Sequence, residues 1–500
     1  MVFDHGGNVI ANAYEKHEQI YPEPGWVEHD PMEIWENTKS VINTALDEEG
    51  LDAEQLDAIG ITNQRETTIV WDAETGKPVH NALVWQDRRT TDRVEEIQDM
   101  DGKVEEIREK TGLECDAYFS ATKTEWILDN ADPIKLQRSR PQDVRERAED
   151  GELLMGTIDT WVIYNLTGNH ITDVSNASRT MLYNIRDLEW DDELLDLFNV
   201  PKAMVPEVRP SSDDDTYGST DPDGFLGAEV PVAGALGDQQ AALFGQTCFD
   251  AGDAKNTYGT GSFMLMNTGN EAVPSEHGLL TTIGFQRSGE DVQYALEGAI
   301  FITGAAIEWL EDMTLIEDAA ESESLARSVD STDGVYLVPA FAGLGAPHWN
   351  QRARGTIVGM TRGTRREHVV RATLESIAYV QRVGTGRRKS SSAPGSSRPA
   401  FTVAFPASAA RATRRRPTAG VTIGAAGAES VAADAVFAVF CDRCVGLTLR
   451  IGRGAYAVPS TTACRQQQLG SRRPHYERSS APTSRRCGSS PCRCTASAIW

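Results

Sequence analysis

The patterning of this 500-residue chain changes character near Tyr379. Up to Val380, apolar residues recur at helix or strand spacing between glycine and proline turns. Beyond it Arg, Ser, Ala, Gly and Pro dominate and the periodicity fades. Residues 1–380 carry 29 Lys and Arg against 70 Asp and Glu, whereas residues 381–500 carry 19 against 4. A packed α/β core is expected only from the first part. Function has to be read there.

The acidic surplus argues against nucleic acid as a partner, because phosphate binding needs clustered Lys and Arg. Acidic runs such as Ser212–Asp215 and Asp187–Glu193 read as a solvated surface suited to high salt, which hints at a halophilic source. No apolar run approaches the roughly 18–20 residues that a transmembrane helix needs, and no basic-then-apolar leader opens the chain. A cytoplasmic enzyme is therefore the expectation. Cys115 and Cys248 are the only cysteines of the acidic part, which fits a reducing compartment. Cys441-x-x-Cys444 has half of a zinc spacing, with Cys487, Cys492 and Cys494 as conceivable partners, but the intervals are irregular.

Pro31 is expected to open a helix whose face carries Ile34, Trp35, Val41, Ile42 and Leu46. Ala58–Thr62, Thr67–Trp71 and Asn81–Trp85 have strand composition, with a turn over Glu74–Lys77. A helix is expected around Thr124–Asn130. Pro231–Leu236 reads as a buried strand leading into a helix from Gln239. A second cycle follows, with strands at Lys255–Tyr258 and Phe263–Met266, a helix over Gly298–Leu310 and a strand over Gly334–Phe341. Thr364–Glu367 fits a capping box before a helix marked by Val370, Leu374 and Ile377. Two α/β lobes result, meeting near Gly237–Phe249. The stretches Phe401–Phe405 and Val436–Phe440 carry no caps or turns that would place them.

Four features could carry chemistry. Arg65-Glu66 lies just past a strand end, where ligand groups project in α/β folds; a cation beside a carboxylate can serve a polyol by donating to one hydroxyl and accepting from another. Alone, the pair reads more readily as a surface ion pair. Asp238, at a strand-to-helix junction before Gln239, is either an N-cap or a general base in phosphoryl transfer. Thr257–Ser262 is a glycine turn that can cradle phosphate or simply close a hairpin. Trp85 and Tyr118 could wall a small pocket, or belong to the core.

In order, the segments Pro24–Glu28, Gly60–Thr68, Val84–Arg89, Tyr118–Lys123, Gly156–Trp161, Ser175–Met181, Gly237–Gln246, Asn256–Gly269, Ser275–Leu279, Gly343–Pro347 and Arg371–Ala378 resemble the glycerol kinases of the carbohydrate-kinase family. That family shares the two-lobed, actin-like (ribonuclease H-like) ATPase fold with a cleft between the lobes. The resemblance implies ATP-dependent phosphorylation of glycerol to sn-glycerol 3-phosphate, with Mg²⁺ bridging the nucleotide phosphates. Arg65, Glu66, Tyr118, Asp238 and Gln239 would hold the hydroxyls, Trp85 and Phe263 would line the carbon chain, and Asp238 would be the base. Thr260 and Gly261 would face the phosphates and Gly304 the nucleotide, followed by Glu308 where the family commonly has Gln. A homodimer or homotetramer is usual in that family. Residues 1–244 would form the first lobe, 245–380 part of the second, and 381–500 a basic tail of frameshifted or disordered character.

Beside Glu308, three further departures accompany the resemblance. The family's opening strand, with its Asp and Gly-Thr-Thr phosphate loop, has no counterpart before Met1-Val-Phe-Asp4. Nothing after Gln381 reproduces its Gly-Gly adenine loop. Pro210–Ala228 lacks the glycine/arginine loop that serves fructose-bisphosphate inhibition in some relatives. Losing oriented phosphate donors removes about 3–4 kcal/mol each, so negligible turnover is expected of the literal chain. Two alternatives stay open: a kinase for another polyol or sugar of the xylulose or gluconate type, and a non-catalytic polyol-binding pseudokinase.

Overall fold

The chain begins with a tight antiparallel hairpin, β1 (Val2–Phe3) and β2 (Val9–Ala11), closed by Asp4, whose Oδ1 accepts from the backbone N–H groups of Gly6 and Asn8 at 2.8 Å. The computed structural model describes residues 1–131, 144–212, 217–384 and 435–441. Helix α1 (Pro31–Glu49) starts where the sequence requires it. Asp30 accepts from Met32 N–H, Pro31 occupies the first turn, and Ile34, Trp35, Ile42 and Leu46 are buried along one face. Strand β3 (Leu56–Asn63) follows, with Ile59, Ile61 and Asn63 turned inward, and then β4 (Ile69–Asp72). Helix α2 (Ser120–Asn130), strand β5 (Leu153–Gly156) and helix α3 (Ile158–Thr167) lead to β6 (Val232–Gly237) and α4 (Asp238–Gly245).

From there the strands change habit. β7 (Ala254–Tyr258), β8 (Ser262–Gly269), β9 (Leu280–Phe285) and β10 (Gln293–Ile300) pair antiparallel in the order β7-β8-β10-β9. Helix α5 (Gly304–Asp312) leaves this sheet, α6 (Arg366–Gly384) follows, and β11 (Ala435–Cys441) returns to the first sheet. That sheet runs β6-β3-β11-β1-β2, with β6 parallel to β3 and β11 antiparallel to β3. Trp71 of β4 and Trp161 of α3 meet edge to face at 5.4 Å and are fully buried, and Trp161 Nε1 donates to Pro31 O at 2.9 Å. One core cluster runs from Val70 of β4 through Tyr118 and Phe119 to Phe263, Leu265 and Phe301, so it packs the antiparallel sheet against the β4 and Tyr118 segments.

Four expectations need correction. Gly298–Leu310 is not one helix: Gly298–Ile300 ends β10, and the helix begins at Gly304. An apolar run without polar punctuation does not distinguish a central strand from a helix, and here β10 lies between two hydrogen-bonded neighbours. The strand expected over Gly334–Phe341 shrinks to Tyr336–Val338. Thr364 does not make the capping box; its Oγ1 accepts from Thr361 N–H, while Arg365 O takes the first helical N–H bonds, from His368 and Val369. Val436–Phe440, unplaced by its own sequence, lies in β11, consistent with its β-branched and aromatic residues. Asp213–Asp215, Phe401–Phe405 and all the tail cysteines except Cys441 lie outside the described residues. Among the described residues no helix is long and apolar enough to cross a membrane.

The acidic residues of the surplus that α1 and the 187–193 segment contribute, such as Asp47, Glu48, Glu49, Asp192 and Glu193, are exposed. Their mutual repulsion is screened as the Debye length falls from about 10 Å at 0.1 M salt to about 3 Å at 1 M. The thermal midpoint is therefore expected to rise across that range of KCl. A flat or falling midpoint would show that surface repulsion does not limit stability.

Candidate active site

Strands β3 and β6 run parallel and in register to their last residues, with Leu236 opposite Thr62 and Gly237 opposite Asn63. Both chains therefore leave the sheet at one edge, which brings Arg65-Glu66 beside Asp238-Gln239. The approach demands Gly237: a Cβ there would stand 2.7 Å from Arg65 Cγ and 2.9 Å from Gln240 Oε1. Glu66 has a φ of 61°, which side chains other than glycine rarely adopt. It is held there by a three-residue turn, Thr67 N–H donating to Arg65 O at 2.7 Å. The hydroxyls of Thr68 and Ser120 donate to Glu66 O at 2.9 and 3.0 Å. Such over-determined backbone is a feature of functional sites.

Arg65 is the centre of a buried charge network. Its Nη1 and Nη2 donate to Glu297 Oε2 and Oε1 at 2.6 and 3.0 Å, a bidentate pair, and Nη2 also reaches Tyr118 Oη at 3.2 Å. Its Nε lies 3.7 Å from Glu66 Oε1 and 3.5 Å from Asp238 Oδ1. Arg179 closes the ring, Nε donating to Glu66 Oε1 at 2.7 Å and Nη2 to Glu297 Oε1 at 3.0 Å. The two carboxyls respond differently. Burial would raise the Glu297 carboxyl, but the charges of Arg179 and Arg65 outweigh it and hold it at about 2. For Glu66 burial wins over Arg65 and Arg179, and its carboxyl moves up.

Tyr118 is fixed from its backbone. Asp116 Oδ1 accepts from Tyr118 N–H at 2.8 Å and from Arg88 Nη1 at 3.1 Å. The fully buried Lys123 Nζ donates to the carbonyls of Ala117, Tyr118 and Phe119. Trp85 meets Tyr118 and Phe263 edge to face, with centroids 5.8 and 6.1 Å apart, and Arg65 lies 5.6 Å from the Phe263 ring. Arg65, Glu66, Trp85, Tyr118, Asp238, Gln239 and Phe263 are thus linked by direct contacts or through one another. Most are closed in: Arg65, Glu66 and Tyr118 are at most 2% exposed, while the Asp238 side chain is 24% exposed and Trp85 half-buried.

Asp238 is not an N-cap. The cap of α4 is Gly237, and Asp238 is the first helical residue. Its Oδ2 accepts from Gln239 Nε2 at 2.7 Å. Its carboxylate is thus free of a capping task and faces Arg65.

Of the residues expected toward the nucleotide, Thr260 and Gly261 form the β7–β8 turn, which docks on the start of α5. Gly259 O accepts from Gly304 N–H at 2.9 Å, and Thr260 O from Thr303 and Ala305 N–H at 2.8 and 3.1 Å. A Cβ on Gly304 would come 2.4 Å from Gly259 O, so this contact requires glycine. Glu308 stands one helical turn further on, partly exposed.

Glu297, Arg179, Gln240 and Phe301 were not singled out from sequence. Glu297 stands one residue before the helix expected over Gly298–Leu310, and a lone carboxylate in the run Tyr-Ala-Leu-Glu-Gly-Ala-Ile is itself a signal. Among the described residues no group of three or more His, Cys, Asp or Glu could hold a metal ion.

Glu297→Gln leaves two buried guanidinium groups short of a counter-charge and is expected to cost about 3–5 kcal/mol at neutral pH. The pH dependence has a definite sign. The Glu297 carboxyl lies below its ordinary 4.5 in the folded chain, so its contribution is complete above 4.5 and is lost as pH falls through about 2. The gap in denaturation midpoint between the parent and the variant should therefore stay constant above pH 4.5 and narrow as pH falls from 4.5 toward about 2. A gap of constant size down to pH 2 would exclude the ion pair as its cause.

Residues 1–245 match the FGGY family of carbohydrate kinases, N-terminal domain, and residues 254–433 match its C-terminal domain. The glycerol kinase of Haloferax volcanii is 82% identical over 382 residues, which cover 76% of this chain and 75% of that protein. Among solved structures, Plasmodium falciparum glycerol kinase with ADP aligns at a TM-score of 0.65 and 39% identity, covering 76% of this chain and 74% of that one. A ligand-bound xylulose kinase from Lactobacillus acidophilus aligns at a TM-score of 0.63 and 20% identity over 77% and 74% of the two chains, a likeness of fold alone. The chain belongs to the FGGY family of carbohydrate kinases.

Proposed function

We propose that the chain phosphorylates glycerol at a terminal hydroxyl with ATP, giving sn-glycerol 3-phosphate and ADP. The observation that carries this reading is the convergence of Arg65, Glu66, Tyr118 and Asp238 at the shared end of β3 and β6. A guanidinium, carboxylates, a phenol and the Gln239 amide offer both donors and acceptors to a triol, and Trp85 with Phe263 offers an apolar wall to its carbons. Identity of 82% to a glycerol kinase supports glycerol over the larger sugars of the same family.

Asp238 takes the proton of the attacking hydroxyl. The hydroxyl oxygen forms the new bond to the γ-phosphorus, the bond from phosphorus to the bridging oxygen breaks, and ADP leaves with that electron pair. The glycine turn carrying Thr260 and Gly261 takes the phosphate side, and Gly304 and Glu308 on α5 lie toward the nucleotide. With no protein cage for a metal among the described residues, the exposed part of the Asp238 carboxylate suits an ion carried on the nucleotide, as Mg²⁺ usually is. When bound, that ion neutralises charge on the phosphate oxygens.

We read residues 1–244 and 245–380 as the two lobes of the kinase; the change from a sheet with a parallel β3–β6 pair to an antiparallel one between β6 and β7 supports that division. Because Arg65, Glu66 and Tyr118 are covered, glycerol enters when the lobes part, and closure keeps water from competing for the phosphoryl group.

Calorimetry on the chain should show glycerol binding, with xylulose and gluconate much weaker. Transfer is best followed in a chimera that takes the unaligned quarter of the Haloferax volcanii relative from that protein. There Asp238→Asn should lower transfer by about 10²–10⁴-fold with glycerol binding retained. Preference for a pentulose, or unchanged transfer in Asp238→Asn, would overturn the assignment.

A further inference from the structure

Lys255 of β7 is 7% exposed and spends three donors. Its Nζ donates to Gln239 Oε1, to Thr257 Oγ1 at 3.0 Å and to Phe263 O at 3.3 Å. An ammonium group can only donate, so its contact settles which end of the Gln239 amide faces it. The amide oxygen turns to Lys255, and Nε2 is left to donate to Asp238 Oδ2 at 2.7 Å. The reverse orientation would set an NH₂ group against an ammonium and an oxygen against a carboxylate. The other two acceptors, Thr257 and Phe263, flank the turn that carries Thr260 and Gly261. One buried cation thus ties the amide beside Asp238 to the hairpin on the phosphate side. Lys123, the other deeply buried lysine of the site, donates instead to three backbone carbonyls and shapes a loop.

We propose that Lys255 is a positioning residue that orients Asp238 through the Gln239 amide and couples it to the Gly259–Gly261 turn. This rests on the reading of Asp238 and Gln239 as polyol ligands given above. Burial also lowers the Lys255 ammonium to about 7, against the pull of Asp238 and Glu297. The groups that face it are Asp238, Arg65, Glu297 and Cys248. As pH rises through 7 the amine loses its charge and one donor, and its hold on Gln239 weakens.

The test is glycerol affinity of the full chain by calorimetry, in the parent, Lys255→Met, Gln239→Ala and the double variant. Lys255→Met should weaken binding about tenfold, the loss expected when a charge-assisted hydrogen bond is removed. Because Lys255 acts through Gln239, the same change should cost less than about twofold in the Gln239→Ala background. An equal cost in both backgrounds would overturn the proposal. The parent's own pH profile supplies a measurement that needs no variant to fold. Affinity should fall between about pH 6 and pH 9 as Lys255 deprotonates, and a flat profile counts against the proposal. A slope that survives in Lys255→Met belongs to the facing groups and also counts against it. Parent binding with an unaffected variant removes the role of Lys255 alone; a parent that binds no glycerol removes the polyol reading and this inference with it.

Discussion

The bidentate pair between Arg65 and Glu297 is the contact on which the rest of the site depends. Arg65 comes from the loop after a strand of the five-stranded sheet, and Glu297 from the interior of the antiparallel sheet. No other cation–carboxylate pair described in the site joins both sheets so directly through two parallel bonds. Each partner alone would be a bare charge among buried groups, which is costly. Together, with Arg179 and Glu66, they form a ring whose formal charges cancel. Ring closure explains why Glu66 can be held at an unusual φ and why Tyr118, bonded to Arg65, points into the site.

Much of the arrangement was legible in the sequence because local rules and the global fold agree. Pro31 followed by an apolar face marks a helix start, and Ala58–Thr62 and Pro231–Leu236 read as strands, which the structure extends by one residue to Asn63 and Gly237. Those two strand ends bring together Arg65, Glu66, Asp238 and Gln239, four of the five polar residues expected to meet a polyol; Tyr118 comes from the segment before α2. The choice between a cap and a base for Asp238 could not be made from sequence, since both place an Asp at a helix start. The structure removes the cap reading: Gly237, one residue earlier, takes the cap position, and the Asp238 carboxylate faces Arg65.

What escaped sequence reading did so for a physical reason. Glu297 and Arg179 have no partner nearby in the chain; their contacts span 113 to 232 residues, and such pairings leave no local pattern. Lys255 looked like one polar residue of a strand, and only its three-dimensional acceptors mark it as a connector. The false helix over Gly298–Leu310 shows the same limit from the other side. Gly-Ala-Ile-Phe-Ile satisfies either period, and pairing with β8 decides in favour of strand up to Ile300.

The acidic character of the chain raises a question of its own, because its second substrate is a polyanion. A protein with a formal charge of −26 repels ATP at long range when salt is low. The site does not share that imbalance. Arg65, Arg179 and Lys255 stand against Glu66, Glu297 and Asp238, so three cations meet three carboxylates within one contact network. Repulsion therefore comes from exposed charges, which salt screens, while the compensated charges inside are buried and are screened much less. High salt removes the barrier to a polyanionic nucleotide without loosening the grip on a neutral triol. Such a division suits a kinase whose relative in Haloferax volcanii shares 82% of its aligned sequence.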